Sequence, residues 1–159
     1  MTTTASTAAE PRLSPAVLIG GAFALTTLLN IAIHVGEILF TDHDPNAPEG
    51  PIASIQRVAV VGGIGLVLTL AIAVPLSGDP QRAKVGAIVL GALAVITLPF
   101  FWSGAPASLG AGAAWLGGFA RGSQPQTGAA RGFGVVGIVV VVLTIVATVF
   151  GGALGPLLD

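Results

Sequence analysis

The residues of this sequence that are best suited to chemistry lie close together near the end of its first apolar segment. Asn30, His34 and Glu37 follow one another at spacings of four and three residues. An α-helix turns by about 100° per residue, so these three side chains fall within about 60° of arc on one face. Histidine changes its charge near neutral pH and a carboxylate accepts protons. The stripe is therefore suited to ligand binding, proton coupling or acid–base catalysis.

The opposite face of the same segment is apolar and is expected to face lipid. It carries Leu25, Leu28, Val35 and Leu39. The polar stripe must then point into a helical bundle or a water-filled cavity. An ionisable group at the centre of a membrane helix costs about 2.5–3.5 kcal/mol on insertion scales, which makes such a group a candidate for function.

Arg57 gives the stripe a second, purely structural interpretation. It lies near the start of the next apolar segment, at the same membrane depth as Glu37, and an ion pair between the two would satisfy both charges. Asn30 and His34 would then be interhelical hydrogen-bonding groups, worth about 0.6 kcal/mol each. Both interpretations stay open. We predict His34, Glu37, Asn30 and Arg57 as binding residues and assign no catalytic residue.

A metal centre is not predicted, although several potential ligands are close in sequence. Zinc binds histidine and carboxylate side chains, and five such residues occur within one short stretch: His34, Glu37, Asp42, His43 and Asp44. Their spacing follows no established ligand motif, and a helix end separates the two histidines. The absence of cysteine excludes thiolate sites and thiol catalysis. No cofactor is identified by any motif.

The composition shows which solvent surrounds these residues. Hydrophobic residues make up 53% of the chain and charged residues only 8%, whereas a soluble domain has about 25% charged residues. This number of charged residues is too small to cover the surface of a soluble globular protein. Lipid must therefore surround the protein. The net charge of −1 and the lack of a basic cluster exclude nucleic acid as a partner.

An all-α, polytopic transmembrane helical bundle is therefore predicted. Five helices are preferred and four are the alternative. We predict a disordered cytoplasmic tail over residues 1–14 and a single bundle over residues 15–159, in which Ser14 caps the first helix. The helices are expected at residues 15–40, 54–76, 81–102, 105–120 and 133–154. The weakly apolar stretch 103–120 could be a membrane helix, a re-entrant hairpin or a surface segment.

The distribution of basic residues favours five crossings. With the N-terminus in the cytoplasm, five basic residues lie inside and only Arg57 lies outside: the inner set is Arg12, Arg82, Lys84, Arg121 and Arg131. Four crossings would give three on each side. Basic residues concentrate in cytoplasmic loops, so the five-helix topology is the better prediction.

Three function classes are compatible with this sequence. The first is a non-enzymatic membrane component that binds a partner or lipid. The second is a small proton- or cation-coupled transporter that uses His34 and Glu37. The third is a membrane enzyme with the same pair as acid and base. No second ionisable group lies deep in another helix, which favours the first class. The expected partners are the lipid bilayer and either a second copy or another membrane subunit, in a bacterial cell membrane.

Overall fold

The computed structural model describes residues 13–40, 47–48 and 50–158, with side chains up to Gly151. Within these ranges the protein is all-α, as predicted. Five α-helices and one 3-10 segment follow in order: α1 (Pro15–Phe40), α2 (Pro51–Leu76), α3 (Pro80–Ile96), the 3-10 segment (Leu98–Ser103), α4 (Ala105–Leu116) and α5 (Gly128–Leu158). Most of the predicted tail, and the potential metal ligands Asp42, His43 and Asp44, lie outside the described residues.

Three of the described helices are long and apolar enough to cross a membrane, namely α1, α2 and α5. A spanning helix needs about 20 residues. With 17 and 12 residues, α3 and α4 are shorter than that. These lengths support a multi-pass membrane protein. The five-crossing count and the cytoplasmic N-terminus stay predictions.

The helix starts follow from local capping chemistry. The hydroxyl of Ser14 accepts a hydrogen bond from the Val17 N–H at 3.2 Å, which caps α1 as the sequence indicates. Asp79 caps α3, because its Oδ1 accepts from the N–H groups of Gln81 and Arg82 at 2.8 and 2.9 Å. Both caps satisfy backbone donors that have no partner inside the helix.

The third apolar segment does not continue as one helix to Trp102. It leaves α-geometry after Ile96 and forms the 3-10 segment. Gly104, with φ +74°, then reverses the chain. Only glycine takes this left-handed conformation without strain. Pro99 lies inside the 3-10 segment, and a proline cannot donate the next helical hydrogen bond, which explains why α3 ends where it does.

Helix α4 runs back antiparallel to α3. Gly86 packs against Leu116 and Gly112 against Leu90, so residues later in α3 lie opposite residues earlier in α4. The Gln126 Nε2 donates to the carbonyl oxygen of Pro80 at 3.0 Å, which fastens the α4–α5 loop beside the start of α3. The α3–α4 hairpin therefore enters and leaves the bundle at the same end.

The core of the bundle is built around α4. All twelve of its residues are buried. A Cβ on Gly110 would meet the backbone of α5 at Gly137, and a Cβ on Gly65 in α2 would meet Ala105. Small residues allow such close approach of helix backbones in lipid. Because this packing fixes α4 on every side, it also fixes the position of the turn at Gly104.

Candidate functional site

The α3–α4 hairpin ends partway along α2 and leaves space beyond its tip. The tip reaches the level of Gly62, where an added Cβ would collide with the Ser103 carbonyl. Helix α2 continues for another eleven residues beyond Gly62, back to Pro51, which is about 16 Å of helix. A cavity of about 350 Å³ occupies this region, and it is lined by His34, Ser54, Arg57, Val58 and Trp102. We call it the tip cavity.

Helix α1 contributes His34, whose ring is held by its own helix. Its Nδ1 lies 2.8 Å from Oε2 of Glu37, one turn further along. Side chains three residues apart are neighbours on a helix surface, so the 15–40 helix itself creates this pair. The His34 side chain is 21% exposed and that of Glu37 is 40% exposed. The bond to Glu37 leaves the second ring nitrogen, Nε2, for the cavity.

Helix α2 contributes Arg57, the one basic residue at this end of the described structure. Its Nη2 donates to the Pro48 carbonyl oxygen at 3.2 Å. A guanidinium group has five N–H donors, so this bond uses only part of its capacity. Arg57 and His34 line the same cavity, and their role as binding residues stays a prediction. The ion pair between Glu37 and Arg57 stays a prediction, because the bond shown for Glu37 is the one to His34.

Hydrogen-bond donors predominate among the groups that line the tip cavity. The Ser54 hydroxyl, the Trp102 indole N–H and the His34 Nε2 make no hydrogen bond within the described part of the chain. Arg57 adds a permanent positive charge, and none of the described residues that line the cavity carries a carboxylate. Val58, which is only 1% exposed, gives it an apolar wall. Such a set of donors favours an anionic or strongly accepting ligand group.

Asn30, the third member of the predicted stripe, is deeper than the cavity. It lies one turn below His34, about 6 Å along the axis of α1, and is 7% exposed. Its Oδ1 has no hydrogen-bond partner, and neither has the Oγ1 of the nearby Thr27. Buried polar atoms almost always have a partner. These two atoms therefore mark a polar position that the described side chains do not satisfy.

Three cavity residues were not predicted from the sequence, namely Ser54, Val58 and Trp102. Ser54 and Val58 belong to α2, on which Arg57 also lies, and Trp102 has the usual character of an aromatic residue at a membrane interface. Trp102 reaches the cavity because it lies in the 3-10 segment at the tip of the α3–α4 hairpin. In the sequence, Pro99 was the residue that indicated a break in the third apolar segment and hence a turn near Trp102.

No metal site is found among the described residues, within which no group of three or more histidine, cysteine or acidic side chains comes together. Asp42, His43 and Asp44 lie outside the described residues. Comparisons with protein-family models, with curated proteins and with solved structures gave no match to this chain. The geometry of the tip cavity is thus the basis for assigning a function.

Proposed function

We propose that this protein is a non-enzymatic, multi-pass membrane component that binds the anionic head of a lipid-like amphiphile in the tip cavity. The observation that carries the proposal is the convergence of Arg57, His34, Ser54 and Trp102 on one cavity of about 350 Å³. Arg57, Ser54 and Trp102 each supply an N–H or O–H group, and Arg57 supplies the positive charge.

The anionic character of the ligand follows from the cost of leaving this charge without a counter-ion. A guanidinium group binds carboxylate or phosphate oxygens with paired, charge-assisted hydrogen bonds. Only its bond to the Pro48 carbonyl is made within the described residues. An anion in the cavity would accept hydrogen bonds from the remaining N–H groups of Arg57.

The amphiphilic character of the ligand follows from the location and size of the cavity. Small-molecule sites usually have volumes of about 300–1,000 Å³, so the tip cavity is at the lower limit and suits a head group with a short part of its chain. It lies between two helices that carry exposed apolar side chains, including Leu39 on α1 and Val61 on α2. The apolar tail of a ligand would leave the cavity between these two helices, toward the middle of the bundle and the surrounding lipid.

Binding of radiolabelled dodecanoate to the detergent-solubilised protein, measured by scintillation proximity, tests this proposal. Charge-assisted hydrogen bonds are worth about 1.5–3 kcal/mol, so Arg57→Gln should weaken binding by roughly tenfold to a hundredfold. Arg82→Gln is the matched control, because it removes the same charge from an exposed position at the other end of the bundle. Equal weakening in both variants, or no binding by the unmodified protein, would refute the proposal.

The bond between His34 and Glu37 favours a second candidate, which is proton-coupled transport. A histidine paired with a carboxylate at 2.8 Å can exchange a proton as its ligand binds. In liposomes with an entrapped pH dye, dodecanoate uptake by this mechanism would move protons with the ligand, and His34→Gln would abolish the proton movement. Binding without any proton movement would leave the non-enzymatic binding component as the function.

The orientation that accompanies this proposal has the tip cavity on the outer side. Arg82 and Lys84 begin α3, and Arg121 and Arg131 flank the loop that Gln126 fastens beside Pro80. All four are thus at the end of the bundle opposite Arg57, which is the asymmetry expected for a cytoplasmic face.

A further inference from the structure

We propose that Thr27 and Asn30, together with the N-terminus of α4, form a buried subsite for a hydroxyl group of the ligand, below the tip cavity. This inference rests on the proposed function, because it assumes that an amphiphile enters that cavity. It specifies the class of amphiphile, namely one with a hydroxylated chain.

The first observation is the pair of unsatisfied atoms. Thr27 and Asn30 are 9% and 7% exposed, and Thr27 Oγ1 and Asn30 Oδ1 have no hydrogen-bond partner. The neighbouring Thr26 is buried as well, but its hydroxyl donates to the carbonyls of Ala22 and Phe23 at 3.0 and 3.1 Å. Burial alone therefore does not explain why the hydroxyl of Thr27 is left without a bond.

The second observation is where Thr27 points. A Cβ built on Gly104 would lie 2.9 Å from the Oγ1 atoms of both Thr26 and Thr27, so both hydroxyls lie beside the residue that precedes α4. Of the two, only the Thr27 hydroxyl has no hydrogen bond within the described residues. The absence of a side chain on Gly104 allows these hydroxyls to approach so closely. The N-terminus of a helix carries partial positive charge, and α4 is twelve residues long and fully buried. An oxygen atom beside Thr27 would thus be stabilised by α4.

The chemistry of the two orphan atoms selects a hydroxyl. Asn30 Oδ1 needs a donor, and the Thr27 hydroxyl needs an acceptor if it donates. A hydroxyl group supplies one donor and two acceptor lone pairs. Residues three apart are neighbours on a helix surface, so one hydroxyl group placed between the two side chains could bond to both.

The position of the subsite sets the relation between the two ligand groups. Asn30 follows His34 inward by one helical turn, about 6 Å, on the same face of α1. An anionic head held by Arg57 beside His34 would therefore have its hydroxyl further along the chain, toward the middle of the bundle.

Competition against radiolabelled dodecanoate tests the inference, with 3-hydroxydodecanoate and 5-hydroxydodecanoate as competitors and unlabelled dodecanoate as reference. One neutral hydrogen bond corresponds to a preference of roughly threefold to tenfold, and at least one hydroxylated competitor should show it. Thr27→Val, which keeps the side-chain shape, and Asn30→Leu should each abolish the preference. Thr26→Val is the matched control and should retain it.

Arg57→Gln should weaken all three competitors alike and leave the preference intact. Equal affinity of the unmodified protein for all three, as expected if water alone occupies the subsite, would overturn the inference while leaving the proposed function in place. Retention of the preference in both Thr27→Val and Asn30→Leu would also overturn it. Absence of dodecanoate binding would refute the proposed function itself.

Discussion

A close backbone contact in the core, between α4 and α5, allows a quantitative test of the packing that positions the site. A Cβ on Gly110 would lie 2.5 Å from the carbonyl oxygen of Gly137 and 3.1 Å from a methyl group of Val141. The obstacle is backbone, so it cannot rotate away as a side chain could. Gly110→Ala must therefore push the two helices apart by several tenths of an ångström.

The expected cost follows from comparison with a glycine that has no neighbour. Overpacking of a well-packed core costs about 1–3 kcal/mol. Alanine also improves helix propensity by about 1 kcal/mol relative to glycine, which offsets part of that cost. Gly63 in α2 has nothing within 4 Å of its added Cβ, so Gly63→Ala should gain helix propensity without any cost from overpacking. The two variants should therefore differ by about 1–3 kcal/mol in their free energy of unfolding.

Thermal unfolding of both variants in the same detergent measures this difference. For a chain of this size, 1 kcal/mol corresponds to roughly 2–4 °C in Tm. Gly110→Ala should therefore melt about 2–12 °C below Gly63→Ala. Equal Tm values would mean that α4 and α5 are not in backbone contact, and the fixed position of the Gly104 turn would lose its support.

Three further predictions concern the ends of the bundle. Asp79→Ala should destabilise the protein by about 1 kcal/mol through loss of the α3 cap, whereas Asp79→Asn should cost much less, and chemical denaturation separates the two. Gln126→Ala should cost about 1–2 kcal/mol, because it leaves the Pro80 carbonyl without its donor, and faster proteolysis of the α4–α5 loop should accompany it. Single cysteines at Ala47 and Thr127 should differ in labelling by an impermeant maleimide on intact cells, with Ala47 reactive and Thr127 protected; the reverse pattern would invert the proposed orientation.

Helix α1 was the most predictable part of the structure. Its boundaries, its cap at Ser14 and the common face of Asn30 and His34 all follow from a period of 3.6 residues and from capping chemistry. These are local properties, determined by residues within a few positions of one another. The distance between His34 and Glu37 is local in the same sense, because a spacing of three residues on a helix nearly guarantees contact.

The cavity was not predictable in the same way, because it depends on where another segment stops. The sequence indicated that Glu37 and Arg57 lie at a similar depth, with His34 on the same face of α1. It did not show that the 3-10 segment would end below these residues and place Trp102 beside the tip cavity. That outcome requires the positive φ of Gly104 and the packing of Ser103 against Gly62, which is a contact between residues far apart in the chain.

The ambiguity of residues 103–120 has a physical explanation in the burial of α4. Hydropathy identifies membrane helices because lipid-facing side chains must be apolar. Every residue of α4 faces other helices, so lipid does not constrain its composition. What constrains it is the space available to residues such as Gly110 and Gly112, where a Cβ would meet neighbours at 2.5 and 2.7 Å. A helix whose residues must be small has a low hydropathy, although α4 is the most buried helix of the described structure. The same small residues allow Thr27 to lie close to the N-terminus of α4. The packing requirement and the proposed hydroxyl subsite therefore have a common origin.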